Sequence, residues 1–130
     1  MRYKLIALLL AFTSCTFANS VNTGHADVSL IKYSTNNSQA NEFFIGIRMD
    51  MQKNWHTYWK NPGDSGGPIK VSWNLPNDVT ISDIYWPTPK LIPYSPLMTY
   101  GYKDFVIFPF KITYEDFNQL KNVSADIDFL

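Results

Sequence analysis

Apolar residues recur along this chain at period two or in short unbroken runs, and prolines, glycines and Asn/Asp residues separate the runs. Successive side chains leave a strand on opposite sides, so period two marks a strand with one face buried. On this ground strands are predicted over Val28 to Tyr33, Phe43 to Met51, Ile69 to Trp73, Val79 to Trp86, Phe105 to Tyr114 and Val123 to Leu130. The connections between them are a polar stretch over Ser34 to Asn41, a long turn over Asn61 to Pro68 and a tight turn at Leu75-Pro76-Asn77-Asp78. A proline-rich irregular stretch follows over Pro87 to Pro96. Pro109 lies inside an otherwise clear strand, and because proline has no N–H to give to a ladder it predicts an edge or a bulge there. Glu115 to Leu120 predicts one short helical turn, and no stretch carries a useful length of 3.6-residue periodicity. Six or seven short strands at this spacing predict an all-β, immunoglobulin-like β-sandwich.

The first residues obey a different pattern. Arg2 and Lys4 precede an apolar run from Leu5 to Phe12, which is too short to span a bilayer and has the charged start of a secretory signal. Residues 1–18 are read as a signal peptide outside the fold, with Thr16 and Ala18 at the small-residue positions of a cut after Ala18. The domain then occupies 19–130. A rival cut would precede Cys15, since Thr13-Ser14-Cys15 has the small residues of a lipoprotein signal, although Phe12 stands where leucine is usual. Contact with a membrane is expected only if Cys15 is lipidated, and otherwise the product is exported and soluble.

Composition narrows the function. Eleven basic and eleven acidic residues balance without any Lys/Arg cluster, so the field that collects nucleic acid is missing and no nucleic-acid partner is expected. Removal of Arg2 and Lys4 leaves the remainder mildly acidic. Cys15 is the single cysteine, and ordinary cleavage removes it. A domain of this size buries enough surface to fold without disulfides, so stability does not call for them.

Two motifs carry candidate chemistry. Gly63-Asp64-Ser65-Gly66-Gly67-Pro68 reproduces the nucleophile segment of trypsin-like proteases. Those enzymes bring the base from a separate barrel far upstream, however, and this chain is half the needed length with only His25 and His56 to offer. A glycine-rich turn, in which Asp64 and Ser65 bond to backbone amides and Gly63 and Gly66 take positive φ, is the expected structure.

The longer string around it, Trp55-His56-Thr57-Tyr58-Trp59-Lys60-Asn61-Pro62-Gly63-Asp64-Ser65-Gly66, resembles the signature of the periplasmic N-terminal domain of the thiol:disulfide interchange protein DsbD and its suppressor-of-copper-sensitivity relatives. Val71-Ser72-Trp73, Leu75-Pro76, Trp86-Pro87-Thr88-Pro89, Tyr100-Gly101-Tyr102 and the closing Asp126-Ile127-Asp128-Phe129-Leu130 agree in order. The resemblance implies an immunoglobulin-like periplasmic domain. Such a domain takes electrons from a membrane-embedded reductase domain and hands them to periplasmic redox proteins through one cysteine pair. In the family that pair directly follows the strand corresponding to Val123 to Leu130, and this sequence contains neither cysteine. The chain is therefore expected to be a truncated form without catalysis of its own and with no cofactor, since a thiolate is the reactive group in disulfide exchange. Thr99, Tyr100, Gly101 and Tyr102 match the family's loop that caps the cysteine pair, with Thr99 at the place of its shielding aromatic. They are expected to form a cap-loop or a partner-binding surface.

Taken singly, Trp55 and Trp59, with Tyr58 between them, read as core and turn-packing aromatics, and His56 as a hydrogen-bonded structural histidine. A second class of function rests on Met49 and Met51, two apart on one strand face, with Met98 and His56, because thioethers suit Cu(I). The alternative to the redox scaffold is thus a periplasmic copper-binding or partner-binding sandwich, against which stands the packing of both methionines in the core.

Overall fold

The computed structural model describes residues 2–6, 20–33 and 41–129, and it is built almost wholly of strands. In chain order these are β1 (Arg2–Ile6), β2 (Ser20–Asn22), β3 (Ala26–Tyr33), β4 (Glu42–Met51), β5 (His56–Gly63), β6 (Lys70–Asn74), β7 (Val79–Ile81), β8 (Lys90–Tyr94), β9 (Leu97–Lys103), β10 (Phe105–Tyr114) and β11 (Ser124–Asp128). A 3-10 helix over Phe117–Asn122 joins β10 to β11. One layer is a five-stranded sheet in the order β2-β3-β4-β10-β7; the other comprises two three-stranded sheets, β1-β11-β6 and β5-β9-β8, and every pairing within the sheets is antiparallel. This is the all-β, immunoglobulin-like sandwich that the alternation predicts.

The core sits on the inner face of β4 and β10. Phe43, Ile45, Ile47 and Met49 of β4 and Val106, Phe108, Phe110 and Ile112 of β10 are all buried, while the residues between them are half-buried on the other face, apart from Gly46, which is covered there by Ile31 and Ile107. Both halves of the second layer lay rings on this face. Trp73 of β6 meets Phe110 edge-on at 5.1 Å, and Tyr102 of β9 and Trp86 each meet Phe108 edge-on at 5.5 Å. Edge-to-face pairs at such separations add to the burial itself.

Several elements differ from the sequence expectation. The strand from Val79 ends at Ile81 rather than Trp86, and of the edge or bulge expected at Pro109 the edge is found: the register against β4 is unbroken, while β7 pairs only Ile112 to Tyr114 of β10. One cause accounts for both. Tyr85 N–H donates to the Pro109 carbonyl at 3.0 Å and Ser82 N–H to the Lys111 carbonyl at 2.9 Å, which places the Pro109 nitrogen on that same side, with no hydrogen to offer. The ladder beside β7 therefore cannot run on, and the Ser82 side chain takes over, accepting the Lys111 N–H at 2.9 Å. The irregular stretch expected over Pro87 to Pro96 contains β8, which forms a hairpin with β9. The short helix begins two residues later than expected, where the Asp116 carboxylate caps it by accepting the Asn118 N–H at 2.9 Å. The polar connection over 34–40, both cleavage sites and Cys15 lie outside the described residues.

Replacing Phe108 with alanine is expected to lower the unfolding free energy by about 3–5 kcal/mol, since the ring is fully buried and two other rings close on it. The exposed Phe105→Ala change on the same strand should cost under about 1 kcal/mol, as surface substitutions do. Urea unfolding of the two variants checks the contrast.

Candidate functional site

Both motif strings lie on one strand pair. His56 stands opposite Lys103, Thr57 opposite Tyr102 and Tyr58 opposite Gly101; the register then shifts, so that Gly63 stands opposite Thr99. Between these points β5 advances five residues while β9 advances two, which makes Trp59 to Pro62 a bulged corner. The long turn is accordingly shorter than expected, because β5 runs as far as Gly63.

The glycine-rich segment after the corner works as a clasp. Asp64 N–H donates to the Met98 carbonyl at 3.1 Å, and the Asp64 carboxylate accepts the Met98 N–H at 2.8 Å. The expected bond from Asp64 to a backbone amide exists, but it reaches across to the β8–β9 hairpin rather than back into its own turn. Gly63 and Gly66 have φ of +89° and +86°, as the turn reading requires. The chain then curls back until Pro68 forms a parallel bridge with Tyr58, and Gly66 lies against the Tyr58 ring so closely that a Cβ there would overlap it. Gly101 is confined for a different reason, since a Cβ on it would fall on the Thr57 carbonyl oxygen.

Thr99, Tyr100, Gly101 and Tyr102 do not form a loop. They are the middle of β9, hydrogen-bonded between β5 and β8, because the two flanking strands use up the backbone groups that a free loop would leave to solvent. Thr99 is buried with its hydroxyl donating to the Ile92 carbonyl at 3.1 Å, so it is not positioned as an exposed cap. The Tyr102 hydroxyl donates to the Pro87 carbonyl at 2.8 Å, and burial pushes its pKa up to about 12, which keeps the proton on the oxygen. Tyr100 is exposed and meets Trp59 edge-on at 6.4 Å.

Trp55 is not a core residue. It is 46% exposed and stacks on His25, with ring centroids 3.6 Å apart, a contact between two segments that period-two reasoning does not join. His56 is half-buried and packs edge-on against Tyr58 at 5.0 Å, and burial and the nearby Lys103 lower its pKa, which favours the neutral ring. Among the described residues no hydrogen bond joins His56 to Ser65, and no group of three or more His, Cys, Asp or Glu side chains gathers where an ion could sit. Met49 is fully buried and Met51 packs against the same core. Met98 stands on β9 five residues from the Lys103 that pairs with His56, about 17 Å along a strand. Met98 is thus set apart from His56.

Ser65→Ala is expected to leave stability within about 0.5 kcal/mol of the parent, and a serine-directed phosphonate should not label the protein. Gly66→Ala should cost more than about 1 kcal/mol, from the left-handed backbone and from the clash with Tyr58 together. Thermal unfolding of the two variants provides the comparison.

Comparison with known proteins agrees with this arrangement. The family model described as "Thiol:disulfide interchange protein DsbD, N-terminal" matches residues 27–130. Among solved structures, the N-terminal periplasmic domain of ScsB from Proteus mirabilis superposes with a TM-score of 0.58 at 22% sequence identity. That match covers 74% of this chain and 38% of the other. No curated protein matches the chain. Since the family match takes in both motif strings and every strand from β4 to β11, the chain belongs to the family of the N-terminal domain of the thiol:disulfide interchange protein DsbD.

Proposed function

We propose that residues 19–130 form the scaffold and partner-facing part of a periplasmic thiol–disulfide interchange domain, and that these residues perform no electron transfer by themselves. The observation that carries this reading is the coincidence of the family match with the chemistry of the sequence. Residues 27–130 have the family's pattern, yet Cys15 is the single cysteine of the 130 residues and lies ahead of the matched region. Exchange needs an attacking thiolate and a second sulfur to resolve the mixed disulfide, and no other side chain substitutes for either. The partners implied are periplasmic redox proteins or a membrane-embedded reductase domain.

Export follows from the first eighteen residues, whose charged start and short apolar run suit the secretion machinery. Mass spectrometry of the exported product should find a chain beginning at Asn19. A lipid-modified Cys15 at its start would instead establish the lipoprotein cut.

The scaffold reading has its own test. A segment carrying two cysteines, joined after Leu130 so that it continues β11, should give the chain measurable reduction of a protein disulfide such as that of insulin. The same segment with both cysteines changed to serine should give none. Failure of the cysteine version, in a folded protein with both thiols titratable, would show that the clasp and β9 do not support the exchange.

A further inference from the structure

The methionines among the described residues sit in different settings. Met49 is 1% exposed on the inner face of β4 and Met51 packs half-buried against the same core, whereas Met98 is 43% exposed on β9. The register of the β8–β9 hairpin sets Leu91 opposite Tyr100 and Pro93 opposite Met98. Directly opposed residues of an antiparallel pair share a face, and so do residues two apart on one strand. Leu91, Pro93, Met98 and Tyr100 therefore form one patch, and all four are exposed.

The backbone of Met98 is fixed independently of its side chain. Its N–H and its carbonyl both bond to Asp64, at 2.8 and 3.1 Å, and neither bond involves the sulfur. Oxidation of a methionine turns a flexible apolar side chain into a polar sulfoxide, which disrupts a core. At Met49 the new S=O group would lie among buried side chains. At Met98 it would meet water and leave the two bonds to Asp64 as they are.

We propose that Met98 is a reversible oxidation site, which takes an oxygen atom from hydroperoxides such as hydrogen peroxide and turns the patch of Leu91, Pro93, Met98 and Tyr100 from apolar to partly polar without loss of the fold. A lone pair on Met98 Sδ attacks one peroxide oxygen, and the S–O bond forms as the O–O bond breaks. The departing hydroxide takes the proton from the transferred oxygen and leaves as water. The sulfur gives up two electrons and the peroxide gains them. Reversal consumes two thiols, which release the oxygen as water and are left as a disulfide. No cysteine of this chain takes part, so the inference stands apart from the scaffold reading.

The experiment exposes the folded 130-residue chain to hydrogen peroxide and follows sulfoxide at each methionine by peptide mass spectrometry. Met98 should be oxidised at least about tenfold faster than Met49 and about threefold faster than Met51, and the three rates should converge in urea, where access is alike. The chain oxidised at Met98 should melt within about 3 °C of the untreated chain, as a surface change does. Methionine sulfoxide reductases for both epimers, with dithiothreitol, should restore the thioether. Emission of an apolar-surface dye should fall on oxidation of the parent and hold in a Met98→Leu chain treated alike. Oxidation of Met49 or Met51 at the rate of Met98, a Met98 sulfoxide that unfolds the chain or resists both reductases, or dye emission that changes equally in parent and Met98→Leu would each overturn the proposal.

Discussion

The molecule is organised around the inner face of β10, where Phe108 and Phe110 stand two residues apart. Phe108 is wholly shielded from solvent and takes two rings edge-on, one from Trp86 and one from Tyr102 of β9, while Phe110 takes Trp73 of β6. The two sheets of the second layer are built from segments far apart in the chain, and these rings fasten both of them to the same strand. β10 can act in this way because its register against β4 is unbroken from Phe105 to Thr113, which holds every second side chain on one face. Pro109 limits the ladder on the far side of β10. That limit frees the segment after β7 to leave the sheet and carry Trp86 back to the core.

The string that holds the protease-like Gly63 to Pro68 segment has a structural explanation in its geometry. Trp55 to Gly66 provides a strand, a bulged corner and a clasp, and its glycines and aspartate are explained by the Tyr58 ring, the left-handed turn and the backbone of Met98. Tyr100-Gly101-Tyr102 is the complementary half, with Gly101 pressed on Thr57 and Tyr102 anchored to Pro87. Two strings distant in sequence thus interlock as one piece of backbone architecture. The hairpin they hold presents Leu91, Met98 and Tyr100 to solvent.

How much of this could be read from the residues follows from the range of the interactions involved. Phe105 to Tyr114 and Phe43 to Met51 were legible because one-sided burial writes itself as alternation, and Gly63 and Gly66 because a tight turn needs residues without a Cβ. β5 and β9 were not, since Asn61-Pro62-Gly63 and Tyr100-Gly101-Tyr102 look like punctuation until each is set against the other. Their regularity comes from pairing between strands some forty residues apart, a non-local effect with no period in either segment. The stacking of His25 on Trp55 and the bond from Asp64 to Met98 are likewise long-range. Arg2 to Ile6, read from the sequence as the start of a secretory leader, is paired with β11.

The central claim is that these residues hold a thiol–disulfide interchange fold without its reactive sulfurs. The most direct measurement is a reductant-coupled turnover assay on the 130-residue chain with Cys15→Ser, in which the fold is kept and the last thiol is gone. A rate of protein-disulfide reduction equal to that of buffer is the predicted result. Turnover above that background would contradict the account, because it would require a redox-active group other than a cysteine within this sandwich.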